Sequence, residues 1–154
     1  MKTTKNVTAL LFIASAATGT AHAALLDRGN GLLYDDVLNL TWLQDANYAK
    51  TSGYDADGLM SWGGATAWAA NLSYGGYSDW RLASNTAVNG STFDYNYNVN
   101  GTTDVGYNIT SPNSELAYMY HVNLGLDSYY DTSGAPQPTF GIFGNGALQV
   151  AKIT

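Results

Sequence analysis

Apolar and polar positions are most clearly patterned in "GLLYDDVLNLTWLQD", residues 31–45. Leu32-Leu33-Tyr34 and Thr41-Trp42-Leu43 have strand character. Between them, Asp35, Asp36 and Asn39 are residues that hydrogen-bond their own backbone in turns. The pattern predicts two short strands in which Leu40, Trp42 and Gln44 share one face through the two-residue period. "NYAKTSGYDADG", residues 47–58, carries turn chemistry throughout and reads as loop. In "MSWGGATAWAANL", residues 60–72, Trp62, Ala65, Ala69 and Leu72 recur at three and four with Trp68 beside them, which is helical spacing. Ser61 supplies an N-cap and Met60 a residue able to staple the first turn. Gly63 and Gly64 weaken that turn by about 1 kcal/mol each against alanine. Gly75-Gly76 ends the element, and Trp80-Arg81-Leu82 begins an extended one.

Residues 89–110, "NGSTFDYNYNVNGTTDVGYNIT", alternate differently. Phe93, Tyr95, Tyr97 and Val99 interleave with Asp and Asn, and Thr103, Val105, Tyr107 and Ile109 repeat the pattern beyond Asn100-Gly101. Two period-two runs around Asn-Gly predict a hairpin. The competing expectation is a polar loop, since asparagine and glycine disfavour strands. An exposed hairpin of this kind would offer an edge for pairing with another chain. "SPNSELAYMYHVNLG", residues 111–125, predicts a second helix with Ser111 as cap, Pro112 in the first turn and Gly125 at the stop. Its apolar stripe would be Leu116, Met119, Tyr120 and Leu124. Ala147 to Ile153 reads as a final strand.

Composition changes this picture at the N-terminus. Lys2 and Lys5, the apolar run Val7–Ala17 and the small-residue triplet Ala21-His22-Ala23 form a secretory signal peptide, residues 1–23. The run is too short and too polar to cross a bilayer, which takes about 20 residues. No later stretch is long and apolar enough to span one either. The expected mature chain, 24–154, is sized for a single domain. Loss of Lys2 and Lys5 takes the six basic residues to four against twelve acidic ones, a net charge of −8. Such a chain repels phosphate backbones and anionic lipid, so nucleic acid and membrane surfaces are poor partners. Cysteine is absent, which excludes thiol chemistry and thiolate metal sites. Twelve tyrosines suit carbohydrate or protein contact, and equally suit a small, wet core.

"GNGLLYDDVLNLTWLQDANYA", "MSWGGATAWAANLSYGGYSDWRL" and "SELAYMYHVNLG", in that order, resemble a bacterial secreted family. It is the Lcl C-terminal-like domain, a domain of unknown function named for a collagen-like adhesin and often found in PEP-CTERM proteins. The resemblance covers roughly residues 29–135. It implies a small α+β domain related to C-type-lectin-like and formylglycine-generating-enzyme-like architectures, with two helices and short antiparallel strands. Residues 89–110 would be a Tyr/Asn-rich insertion. Two departures stand out. Ala83 occupies the place of a proline in the family's Trp-Arg-Leu-Pro. The family's later Tyr-Trp-Ser segment and Trp-Ala-Val-Arg strand have no counterpart. The expectation is therefore a partial domain, truncated in its C-terminal half.

Each candidate site has two explanations. Arg81 and Trp80 would grip an anion and stack a sugar, or else Trp80 and Leu82 are core residues and Arg81 pairs with Asp79 or another carboxylate. No catalytic partner accompanies the motif, so structure is the expectation. Asp55 and Asp57 before Gly58 resemble part of a calcium loop. An EF-hand is excluded because its twelfth position falls on Thr66; an irregular Ca2+ site competes with a solvated turn. Asp35, Asp36, Asp45, Asp127 and Asp131 would supply a hydrolase's carboxylate pair only if a cleft brings two together. His121 lacks a nucleophile-elbow motif nearby. The leading expectation is an exported, non-enzymatic domain of the periplasm, cell surface or extracellular matrix, with no cofactor, engaged in adhesion or glycan binding. Two other readings stand beside it: a remnant that self-associates through an unpaired sheet edge, and an Asp-based envelope hydrolase. The sequence also predicts that Trp42, Trp62 and Trp80 meet in one interior.

Overall fold

Asn30 and Gly31 both take positive φ, 54° and 73°, as a two-residue hairpin loop requires. They join β1 (Leu25–Gly29) to β2 (Leu32–Asp35), and β3 (Leu40–Leu43) completes an antiparallel sheet in the order β1-β2-β3. β2 and β3 are the predicted strands; β1 was not foreseen. The computed structural model describes residues 25–138, a small α+β domain with this sheet and a few short helices. The leader read at 1–23 and the strand read at Ala147–Ile153 lie outside the described residues. Among those described, no helix is long and apolar enough to cross a membrane.

The turn between β2 and β3 is built on Asp35, as its residue types predict. Its Oδ1 accepts the backbone N–H of Val37 at 3.0 Å and of Leu38 at 2.9 Å, and Oδ2 accepts from Asn123 Nδ2 at 2.5 Å. This carboxylate is fully buried. On the outer edge, Arg28 opens a bulge in β1 and lies 3.8 Å over the Tyr34 ring. A bulge and a charge on an edge strand both discourage pairing with another chain.

The sheet is covered on both faces. Leu32 pairs with Leu43, and Leu33 with Trp42, so the two-residue period sends the two pairs to opposite sides. Leu32 and Leu43 pack with Trp80, Tyr48, Leu72 and Tyr74. Trp42 packs with Met119, Leu25, Leu33, Leu40 and Ala83. Leu40 and Trp42 thus share a face as expected, whereas Gln44 follows the strand and is exposed. The predicted meeting of three indoles is overturned. Trp42 and Trp80, 1% and 5% exposed, belong to different clusters, and Trp62 is 75% exposed.

α2 (Trp62–Asn71) forms where predicted, and Ser61 Oγ accepts the Gly64 N–H at 3.2 Å as its cap. Its buried residues are Trp68 and Ala69, which join Ala49 in a third cluster. Met60 packs onto that cluster. With that place filled, Trp62 in the first turn is left to solvent. Residues 47–58 are not loop throughout: Tyr48–Thr51 form a helical turn, α1, that delivers Ala49 to this cluster.

The second helix is shorter than predicted. α3 (Glu115–Tyr118) starts after Ser114 and runs into a π-helical turn, Met119–Asn123. Ser111 and Pro112 precede it. The wider turn changes which residues face inward: Tyr118 and Met119 are buried, while Leu116 and Leu124 of the predicted stripe are exposed. Gly125 does end the element, at φ 60°.

No strand forms in residues 89–110, so the predicted hairpin and its edge are absent. Asn and Asp side chains take the backbone N–H groups that a ladder would need. Asn89 accepts from Ser91 and Thr92, Asp94 from Asn96, Asn98 from Asn100, and Asn100 from Thr102. Asp104 spans the segment, holding Val88 N–H at 2.8 Å and Asp94 N–H at 2.7 Å. Local acceptors of this kind compete directly with sheet pairing.

Urea denaturation separates the tryptophans: Trp42→Ala costs about 3–5 kcal/mol, and Trp62→Ala stays within about 0.5 kcal/mol. Asp35→Ala orphans three donors and costs about 3 kcal/mol, measured in the same way.

Candidate functional site

Asp79-Trp80-Arg81 follows the Tyr74–Tyr77 turn, whose two residues exchange backbone hydrogen bonds of 3.0 Å. Trp80 turns inward, its Nε1 donating to the Tyr77 carbonyl at 3.1 Å. Arg81 turns outward and reaches across to α3. Its Nη1 and Nη2 donate to Glu115 Oε2 and Oε1 at 2.7 and 2.6 Å, a two-pronged pair. Glu115 also accepts the Ser84 N–H at 2.6 Å. The partner is thus another carboxylate rather than Asp79, and it is the chain's single glutamate. Leu82 packs against the Ala49–Trp68–Ala69 cluster. Ser114 Oγ donates to Asn85 Oδ1 at 2.7 Å and continues the seam between these segments. A groove of about 240 Å³ lies between Leu40-Thr41 and Tyr77–Arg81. Its cation is already engaged by Glu115 and its indole is buried.

The other candidates serve turns. Asp55 Oδ1 accepts the N–H groups of Gly58 and Asp57 at 2.7 and 3.1 Å, and Asp57 Oδ1 accepts that of Leu59 at 2.8 Å. The Gly58 amide above all, then that of Asp57, holds the Asp55 carboxyl below its ordinary range. Among the described residues no group of three or more His, Asp or Glu side chains is placed to hold a metal. Asp45 Oδ1 accepts from Asn47 N–H, and Asp131 Oδ1 from Ser133 and Ala135. The Ser133 hydroxyl is the main cause that lowers Asp131. Asp35 lies beneath the β2–β3 turn as described.

His121 sits on the π-helical turn with Nδ1 donating to the Leu126 carbonyl at 3.0 Å. Ser128 Oγ lies 3.5 Å from Nε2 and accepts the Asn108 N–H at 2.8 Å. Ser128 is buried, and its hydroxyl ties the loop at Asn108 to its own segment. Burial lowers the His121 pKa, opposed by the Leu126 carbonyl.

What these ties display is aromatic. Asn108 Nδ2 donates to the carbonyls of Val99 and Tyr130 at 2.7 and 2.8 Å, pinning loop 89–110 to residues 128–130. Gly101 makes this possible: a Cβ there would strike the Asn108 carbonyl, and its φ is 83°. Tyr97, Tyr107, Tyr130 and Tyr129 follow one another edge to face, with centroids 6.1, 5.5 and 4.7 Å apart. Phe93 and Tyr95 stack at 5.7 Å and 5°. Composition alone points to tyrosine, with twelve in the chain, and no spacing in the sequence links Tyr97 to Tyr130.

Comparison with known protein families, curated proteins and solved structures finds no match.

Two pH windows follow. His121 has a depressed pKa, so its contribution is complete above the ordinary value of 6.5 and fades as pH falls through the folded value. Burial would push Glu115 up, but Arg81 and the Ser84 amide outweigh it and hold it below 4.5. Its contribution is complete above 4.5 and is lost further into acid. In stability measured against pH, His121→Gln flattens the slope just below 6.5. Glu115→Gln costs about 1 kcal/mol at neutral pH, where Arg81 is half in water, and converges on the native chain in acid.

Proposed function

We propose that this chain is an exported, non-enzymatic domain that contacts glycans or other extracellular polymer at or beyond the cell envelope. The observation that carries it is the division of labour among the side chains. Of the candidate reactive groups, Asp35, Asp45, Asp55, Asp57, Asp131 and the His121–Ser128 pair are engaged in hydrogen bonds with their own chain, while Asp36 and Asp127 are exposed. The large groups left outside include Tyr54, Trp62, Phe93, Tyr95, Tyr97 and Tyr129. Adjoining exposed aromatic groups mark contact surfaces, as where Phe93 stacks on Tyr95 and where Tyr97 and Tyr129 end a run of touching rings, and tyrosine joins an apolar face to a polar tip. The resemblance to the Lcl C-terminal-like family supports export and adhesion, and with them an architecture of the C-type-lectin-like or formylglycine-generating-enzyme-like kind.

A glycan array followed by calorimetry, each with and without calcium, tests the proposal. Binding to at least one glycan class, with no new reducing ends after prolonged incubation, is the expected result. Silence across the array removes the binding claim, and released reducing ends remove the non-enzymatic one.

A further inference from the structure

We infer that the row Tyr97–Tyr107–Tyr130–Tyr129 is a contact surface for a neutral, hydroxyl-rich polysaccharide; the inference rests on the reading above and names its site and ligand class. Three properties point to it. First, the rings form one connected series by edge-to-face contacts. Tyr97 is 71% and Tyr129 46% exposed, so the two ends of the series meet solvent. The four phenols are also close enough electrostatically for Tyr97, Tyr107 and Tyr129 to raise Tyr130, after burial as the first cause. A series of rings suits a chain of sugars better than a single one.

Second, the row is built in advance of binding. The Asn108 amide bridges Val99 and Tyr130, Ser128 Oγ holds the Asn108 backbone, and Gln137 Nε2 donates to the Ser128 carbonyl at 3.0 Å. Tyr129 is braced by its carbonyl, which accepts the Gln137 N–H at 2.8 Å. Ordering that is complete before association does not have to be supplied during it.

Third, the charge around it selects the partner. No Lys or Arg occurs between Leu82 and Pro138, while Asp94, Asp104, Glu115, Asp127 and Asp131 all do. An anionic polymer is repelled by such a segment. Protein interfaces favour Arg and Met beside aromatics; this segment has no Arg, and Met119, its single Met, is buried under Trp42. Sugar ring faces meet the phenol rings, and sugar hydroxyls meet phenolic and amide groups.

The test uses calorimetry of the full chain with cellohexaose, polygalacturonate oligomers and a chitosan hexamer. Tyr97→Ala and Tyr129→Ala each weaken cellohexaose binding about three- to tenfold, at unchanged melting temperature. Tyr97→Phe retains most of the affinity, and Leu59→Ala, an exposed apolar position outside the row, retains all of it. If the native chain binds cellohexaose and both Tyr→Ala variants bind equally well, the row is overturned while glycan binding stands. Preference for polygalacturonate or chitosan overturns the neutral ligand class. Sedimentation showing dimers that either Tyr→Ala variant dissociates assigns the row to a second copy and also overturns it. Silence of the native chain toward all three probes and across the array removes both proposals.

Discussion

The domain depends on a three-stranded sheet too small to form a core with one face. Adjacent residues in β2, Leu32 and Leu33, point to opposite sides, and each finds an apolar partner in β3, Leu43 and Trp42. Each side then needs its own cover. Trp80, Tyr48 and Leu72 supply one, and Met119 with Ala83 the other. Two-sided burial lets a sheet of so few residues remove enough apolar surface from water to hold together. It also explains why the indoles do not gather, since a strand that buries both faces separates whatever packs against them.

The second organising device is polar. With no disulfide to staple it, the loop-rich remainder is fastened by side chains that bond backbone. Asp35 holds the β2–β3 turn and reaches Asn123; Asp104 gathers Val88 and Asp94; Asn108 links Val99 to Tyr130. Arg81 and Glu115 join the segment after Trp80 to α3 by a charge-assisted pair, stronger than a neutral hydrogen bond. These bonds are local or involve single long-range pairs. They shape loops without strands.

The dipeptide Asn-Gly shows how far pattern reaches. At Asn30-Gly31 it turns a hairpin, because Leu25 and Leu33 on either side have Trp42 and Met119 to bury against. At Asn100-Gly101 the flanking alternation looks more regular, yet no strands form. There the interleaved polar residues are Asn and Asp, whose oxygens capture N–H groups two and three residues on. That Arg81 could pair with a carboxylate was legible, but which one was not, since Glu115 stands thirty-four positions away.

The amino-acid order by itself determined β2, β3, α2 with its Ser61 cap and the Gly125 stop. All of these follow from contacts within a few residues, where periodicity and capping chemistry act. Tertiary structure decided which tryptophan is buried, the π-helical turn that re-aims the second helix, the choice of Glu115 for Arg81 and the alignment of Tyr97 with Tyr107, Tyr130 and Tyr129. Each of those is a pairing across long loops, where many partners satisfy the same local rules and only the packed arrangement selects one.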